Sequence, residues 1–252
     1  MILTIDIGNS RIKWGLWQAG QLVESAAHEY VIEDVGSLLN DNWRHFEKPD
    51  VVMLACVADN TVETIMQAWL HEHWRIQAQV FRATRQFGAM THAYKKPEQH
   101  GADRWAAMIA ARDMYSVPLC VISCGTAVTV DVIDATGKHL GGQIVPGPDL
   151  MLDALRQRLP ALADIETPPG CNAGAVFASN TADAVTSGVH NMLAAGLDRA
   201  SENARNLVGV EMKTLLTGGG ATVMMALMKT SIELQPDLVL RGLYIAAQAG
   251  KA

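Results

Sequence analysis

The sequence predicts an α/β protein built from two duplicated lobes, and three observations carry that expectation. Short apolar strands alternate with stretches of helical period along all 252 residues. A strand that ends in a small-residue polar turn, followed by a return strand, occurs near residue 7 and again near residue 124. No low-complexity linker separates the two halves, so they are expected as closely packed lobes at residues 1–116 and 117–252. A hydrophobic fraction of 49% over this length is enough for one large or two medium cores.

Residues 2–7 read as a buried strand ending in the turn Gly8-Asn9-Ser10, and residues 12–17 as a second strand before the turn at Gly20. Residues 51–57 form another apolar run. Asn60 then reads as an N-cap for a helix over residues 61–74, whose apolar positions include Val62, Ile65, Met66 and Trp69. Gly101 and Asp103 open an Ala- and Met-rich helix running to about Tyr115. The second half repeats the opening pattern, with strands at 119–123, 128–133 and 140–145 and a helix at 150–159. A Pro-, Gly- and Asn-rich loop follows at 160–179, then a long helix at 181–207 behind Asn180. The end alternates again: a strand at 212–216, a helix at 221–228, a short strand near Ile232 and a helix at 238–248. The six tryptophans fall within apolar patterns and read as packing residues. Met224, Met225 and Met228 read as core filler.

A net charge of −6 argues against a nucleic-acid surface, which needs a basic field to recruit phosphates. Cys56, Cys120, Cys124 and Cys171 lie in apolar runs without CxxC pairing or zinc spacing, so reduced core thiols are expected. His71-Glu72-His73 lacks HExxH spacing and reads as solvated. Asp6 interrupts the apolar start before a signal-peptide core could form, and residues 114–130 are too short and too polar to span a bilayer. A cytoplasmic protein with no membrane partner is expected.

The chemistry concentrates in the turns. Asp6-Ile7-Gly8-Asn9-Ser10 sets a carboxylate at the end of a buried strand beside a turn rich in exposed N–H groups, which can wrap phosphate oxygens while the carboxylate holds magnesium or its waters. An ordinary Asn/Gly hairpin turn explains the same residues. The second tip, Gly125-Thr126-Ala127-Val128-Thr129, and the turn Thr217-Gly218-Gly219-Gly220 favour a nucleotide gripped between two lobes. Neither GxxxxGK[ST] nor GxGxxG occurs, which removes the P-loop and dinucleotide-fold readings. Asp103 lies where a helix begins, beside a glycine that clears space and an arginine able to meet an anion. A plain N-cap with Arg104 as a surface partner fits those residues equally well.

With these motifs in this order, the sequence resembles the actin-like ATPase and sugar kinase superfamily and, within it, the type III pantothenate kinases. The matching residues are Asp6-Ile7-Gly8-Asn9-Ser10, Tyr94-Lys95-Lys96-Pro97 leading into Gly101-Ala102-Asp103-Arg104, Gly125 to Asp131, Gly141 to Gly147, Asn180-Thr181 and Thr217-Gly218-Gly219. The resemblance implies two actin-like, ribonuclease H-like lobes, each a mixed β-sheet with flanking helices, and a nucleotide cleft between them. It implies ATP-dependent phosphorylation of pantothenate to 4'-phosphopantothenate, the first step of coenzyme A biosynthesis, with Asp103 as general base. ATP with Mg2+ is expected at Asp6, Ile7, Gly8, Asn9, Ser10, Arg11, Ile12, Lys13 and Thr126, with Asp6 as the magnesium candidate. Pantothenate is expected at Tyr94, Gly101, Ala102, Asp103, Arg104 and Thr181. The residue matching Thr181 reaches the substrate from a partner subunit, so a homodimer is implied.

One position departs from the family pattern. Where the family reads Asp-x-Gly-Thr-Ala, with the Asp associated with potassium or ammonium, this chain reads Ser123-Cys124-Gly125-Thr126-Ala127. The monovalent cation position therefore carries a hydroxyl, and Asp131 is another oxygen source nearby in sequence. That missing acid leaves room for a regulatory or accessory protein on the same fold without turnover. Retention of Asp6, Tyr94, Asp103 and Arg104 favours the kinase.

Overall fold

A computed structural model describes residues 1–165 and 177–250. Its elements run β1 (Ile2–Ile7), β2 (Arg11–Gln18), β3 (Gln21–Glu29), α1 (Val35–Trp43), β4 (Val51–Cys56), α2 (Asn60–Trp74), β5 (Gln79–Val80), β6 (Gln86–Phe87), β7 (Met90–Thr91) and α3 (Ala102–Met114). The chain continues with β8 (Leu119–Cys124), β9 (Ala127–Ile133), β10 (His139–Pro146), α4 (Pro148–Arg158), α5 (Thr181–Val208), β11 (Lys213–Thr217), α6 (Ala221–Leu227), β12 (Glu233–Leu234) and α7 (Leu238–Ala249).

These elements form two compact units. The first contains residues 1–114 and the chain from Asp237 onward, and the second contains Tyr115–Pro236. The sequence expectation assigned everything after residue 116 to the second lobe; α7 instead belongs with the first. Its physical reason is a backbone approach. A Cβ on Gly242 of α7 would stand 1.8 Å from the Ala106 carbonyl oxygen of α3, so the two helices meet where one of them has no side chain.

The strand orders bear out the duplication. The first sheet runs β3-β2-β1-β4-β5 and the second β10-β9-β8-β11-β12, each with an antiparallel three-strand meander continued by two parallel strands. Every residue of β1 is buried, as befits a central strand covered on both faces. β3 was not foreseen because it lies at a sheet edge and is mostly exposed; its Gln-Leu-Val-Glu-Ser sequence shows no buried-strand pattern, and pairing with β2 supplies the order.

The tryptophans in the first unit pack as expected. Trp43 meets Trp14, Trp69 and Trp74 with ring centroids 6.2, 5.7 and 6.2 Å apart, filling the space between β2, α1 and α2. The cap of α2 is Asp59 and not Asn60: its carboxylate accepts the Thr61 N–H at 2.7 Å, placing Asn60 inside the helix. Asn180 caps α5 as anticipated, accepting the Asp183 N–H at 2.9 Å.

In the second unit, Cys120, Ile122 and Cys124 of β8 face Leu193, Ala194 and Leu197 of α5 in the core. Burial pushes the Cys120 and Cys124 thiols up to about 12, so both are packing groups at neutral pH. Cys171 lies outside the described residues. Met224 and Met228 are buried, whereas Met225 is 44% exposed and is not core filler.

Gly242→Ala is expected to destabilise the protein by about 1–3 kcal/mol or more, since the added methyl drives backbone from backbone. Gly36→Ala in α1, where a Cβ meets nothing within 4 Å, is expected to be neutral or mildly stabilising. Comparing the two denaturation midpoints with wild type checks the steric origin of the loss.

Candidate active site

β1 delivers Asp6 to its C-terminal end, in register with Lys13 on β2 and Ala55 on β4. The strand is apolar on both sides of this acid, so Asp6 is only 8% exposed. Burial, and secondarily the negative charge of Asp103, raise its pKa to about 7, while Lys13 pulls in the opposite direction. Asp237, immediately before α7, is also raised by burial and opposed by Lys13. Sequence reasoning missed Asp237 because an acid before an apolar helix reads as an N-cap, yet it makes no side-chain cap hydrogen bond. The first unit thus gathers Asp6, Asp103 and Asp237 in the electrostatic neighbourhood of one another or of Lys13.

The turn after β1 is tight. Gly8 N–H donates to the Arg11 carbonyl at 3.0 Å, and the Tyr30 hydroxyl donates to the Gly8 carbonyl at 2.8 Å, anchoring the tip from β3's end. Asn9 and Ser10 are exposed at the bend, and Arg11 pairs with Glu29 at 2.6 Å. Ile7 and Ile12 have no side-chain exposure and belong to the core. Within the expected phosphate segment these two can therefore offer only backbone groups.

Asp103 occupies the first turn of α3, where a negative charge suits the helix dipole. Its carboxylate curls back over Gly101: a Cβ there would fall 2.5 Å from Asp103 Oδ1. The helix starts at Ala102, so Asp103 lies inside it and is no cap. Arg104 is 6% exposed, which removes the surface-partner reading. Tyr94 is held ahead of this turn by its carbonyl, which accepts Arg85 Nη1–H at 2.7 Å, and by its own N–H, which donates to His92 Nδ1 at 2.9 Å.

In the second unit the tip between β8 and β9 closes through a Gly125 N–H bond to the Ala127 carbonyl at 3.1 Å. Gly147 covers it, donating to the Thr126 carbonyl at 2.9 Å, and a Cβ on Gly147 would meet the Gly125 and Thr126 carbonyl oxygens at 2.5 and 2.6 Å. Ser123 is in register with Thr129 on β9 and Thr217 on β11, so three hydroxyl residues stand in one row. Asp131 Oδ1 accepts His139 Nε2 at 3.1 Å, committing that oxygen. Gly218 follows with φ +95°, and a Cβ there would meet the Cys124 carbonyl oxygen at 2.4 Å. Thr181 is exposed at the first turn of α5.

The profile of the type III pantothenate kinases matches residues 2–203. The type III pantothenate kinase of Nitrosococcus oceani is 35% identical over 248 residues, covering 96% of this chain and 92% of the relative. This chain belongs to the type III pantothenate kinase family. Its fold also resembles that of the 2-hydroxyisocaproyl-CoA dehydratase activator of Clostridium difficile, solved with bound ADPNP, at TM-score 0.55 and 14% identity, covering 99% and 96% of the two chains. MreB 5 of Spiroplasma citri, bound to AMPPNP, matches at TM-score 0.52 and 10% identity over 99% and 96% of the chains, which places the pantothenate kinase on the actin-like fold.

Two predictions follow from this kinase's first unit. Asp6 binds a proton more tightly folded than unfolded between its ordinary 3.8 and about 7, so folding stability falls as pH rises through that window. In chelator-treated protein, Asp6→Asn is therefore expected to raise the melting temperature over wild type at about pH 8 and to lose that advantage near pH 4. Gly101→Ala displaces the Asp103 carboxylate with little change in melting temperature, because the clash is with a movable side chain. Turnover with pantothenate is expected to fall about tenfold or more.

Proposed function

We propose that this pantothenate kinase transfers the γ-phosphoryl group of ATP to the primary hydroxyl of pantothenate, with Asp103 as the general base. The observation that carries the assignment of the base is the folding of Asp103 over Gly101, beside buried Arg104 and electrostatically coupled to Asp6. As the hydroxyl oxygen attacks phosphorus, its proton passes to the Asp103 carboxylate and ADP leaves. Phosphoryl transfer asks mainly for positioning and charge neutralisation. Arg104 offers charge to the carboxylate end of pantothenate, with Tyr94, Gly101 and Ala102 as its other contacts on this unit.

The N–H groups and side chains of Asp6 to Lys13 serve ATP phosphates in this reading, with Thr126 on the second tip. Asp6 suits a magnesium ion: a carboxylate raised by burial and a neighbouring acid gains from a nearby cation, which neutralises charge on the transferring phosphoryl group when bound. The monovalent cation position is less well equipped. Ser123, Thr129 and Thr217 offer neutral hydroxyls, and one oxygen of Asp131 is taken by His139.

A homodimer is the expected assembly, with Thr181 serving the partner's substrate. Its support is an apolar cavity of about 250 Å3 on the second unit, between β9, β10, α4 and α5. Met192, 77% exposed, lies at this cavity on the helix that Thr181 begins. No helix among the described residues is long and apolar enough to cross a membrane.

Asp103→Asn is expected to lower kcat by about 10²–10⁴ while ATP binding persists. ADP release measured with and without pantothenate checks this; turnover that ignores either pantothenate or Asp103 rejects the assignment. Potassium should stimulate the enzyme only weakly over sodium, and Ser123→Asp should strengthen that response; initial rates in the two salts decide. Met192→Glu should dissociate the dimer, as read by sedimentation velocity.

A further inference from the structure

We infer that His92 and His100 are positioning residues that fix Tyr94 and the Gly101–Asp103 turn for the acceptor substrate. This inference rests on the acceptor-site reading of Tyr94 and Asp103 given above. Both imidazoles are buried, at 6% and 3% exposure, and each spends a ring nitrogen on the backbone of that site. His92 Nδ1 lies 2.9 Å from the Tyr94 nitrogen; the N–H donates, so Nδ1 is the bare nitrogen and the neutral ring carries its proton on Nε2. His100 Nδ1 lies 3.1 Å from the Gly101 carbonyl, which can only accept, so here Nδ1 carries the proton. The two neighbouring histidines thereby use Nδ1 in opposite senses, His92 as acceptor and His100 as donor.

The rings also clamp the tyrosine. Tyr94 stands edge-to-face to His92 at 5.1 Å and 82° and to His100 at 5.0 Å and 83°, while the two imidazoles meet at 4.7 Å and 79°. Trp105, in the first turn of α3, lies 4.7 Å from His92 and closes the cluster. The Gly101 carbonyl accepts from both His100 and the Trp105 N–H, each at 3.1 Å. Those two hydrogen bonds to one oxygen fix the peptide plane over which the Asp103 carboxylate folds. A phenyl ring lacks the Nδ1 that His92 and His100 each place on this backbone, so a phenylalanine removes the hydrogen bond while keeping an aromatic ring.

The test separates the nitrogen from the ring. His92→Asn retains an acceptor near the Nδ1 position and His92→Phe retains the ring alone; His100→Asn and His100→Phe do the same for the donor. Each Phe variant is expected to raise KM for pantothenate about tenfold, the scale of one lost hydrogen bond, with a smaller effect on KM for ATP. Each Asn variant is expected to recover most of that loss. If the Phe and Asn variants shift KM for pantothenate equally, or if only melting temperature falls, the positioning role is overturned. Should His92→Phe fail to fold, the His100 pair decides by the same criterion. Failure of the acceptor-site reading is distinct: wild-type enzyme would then turn over without pantothenate or ignore Asp103→Asn, whatever the histidine variants do.

Discussion

The contact between Gly242 and the Ala106 carbonyl is the constraint on which the first unit depends. Helix α3 is buried from Ala102 through Ala111, apart from Asp103, and is walled on one side by α7. Burial of a helix so rich in alanine leaves little side-chain volume to absorb error, and only backbone-to-backbone approach brings enough atoms into contact. Because Asp103 and Arg104 sit in the first turn of that helix, the seating of α3 sets their position. The same α7 rises from Asp237, which shares the field of Lys13 with Asp6. One helix pair therefore links the packing of the unit to its charged groups.

The electrostatics of this unit centre on the buried carboxylate of Asp6. Burial and then the charge of Asp103 raise the cost of ionising Asp6, and Lys13 offsets part of it. A structural carboxylate in a core would be paired off completely, because an unpaired buried charge is expensive. Here the imbalance leaves a standing preference for positive charge, which the proposed magnesium ion would meet. In the second unit, neutral hydroxyls from three strands, Ser123, Thr129 and Thr217, stand in one row beside the tip.

Much of this was legible in the sequence because strands and tips repeat. The β1–β2 turn, the β8–β9 turn, α3 and α5 were readable from apolar runs punctuated by glycine, and the family motifs fell on them in order. What escaped were features that depend on partners distant in sequence. β3 is an exposed edge strand without periodic burial and takes its conformation from β2. α7 looked like the close of the second lobe by chain position, and only the approach of Gly242 to Ala106 assigns it to the first. Asp237 was hidden behind an ordinary cap pattern, and His92 and His100 behind a loop whose meaning lies in which nitrogen faces which backbone group. Arg104 could be read as a surface residue until its burial was seen.

The return of α7 to the first unit makes the second unit an insertion within it. On the ribosome, the strands of the first sheet emerge early yet wait for a helix encoded after all of Tyr115–Pro236. The second unit, continuous in sequence, can complete its own sheet in the interval. The helix bearing Asp103 gains its wall only after the second unit has been made, so a chain interrupted there carries Asp6 and Asp103 but no seated α3.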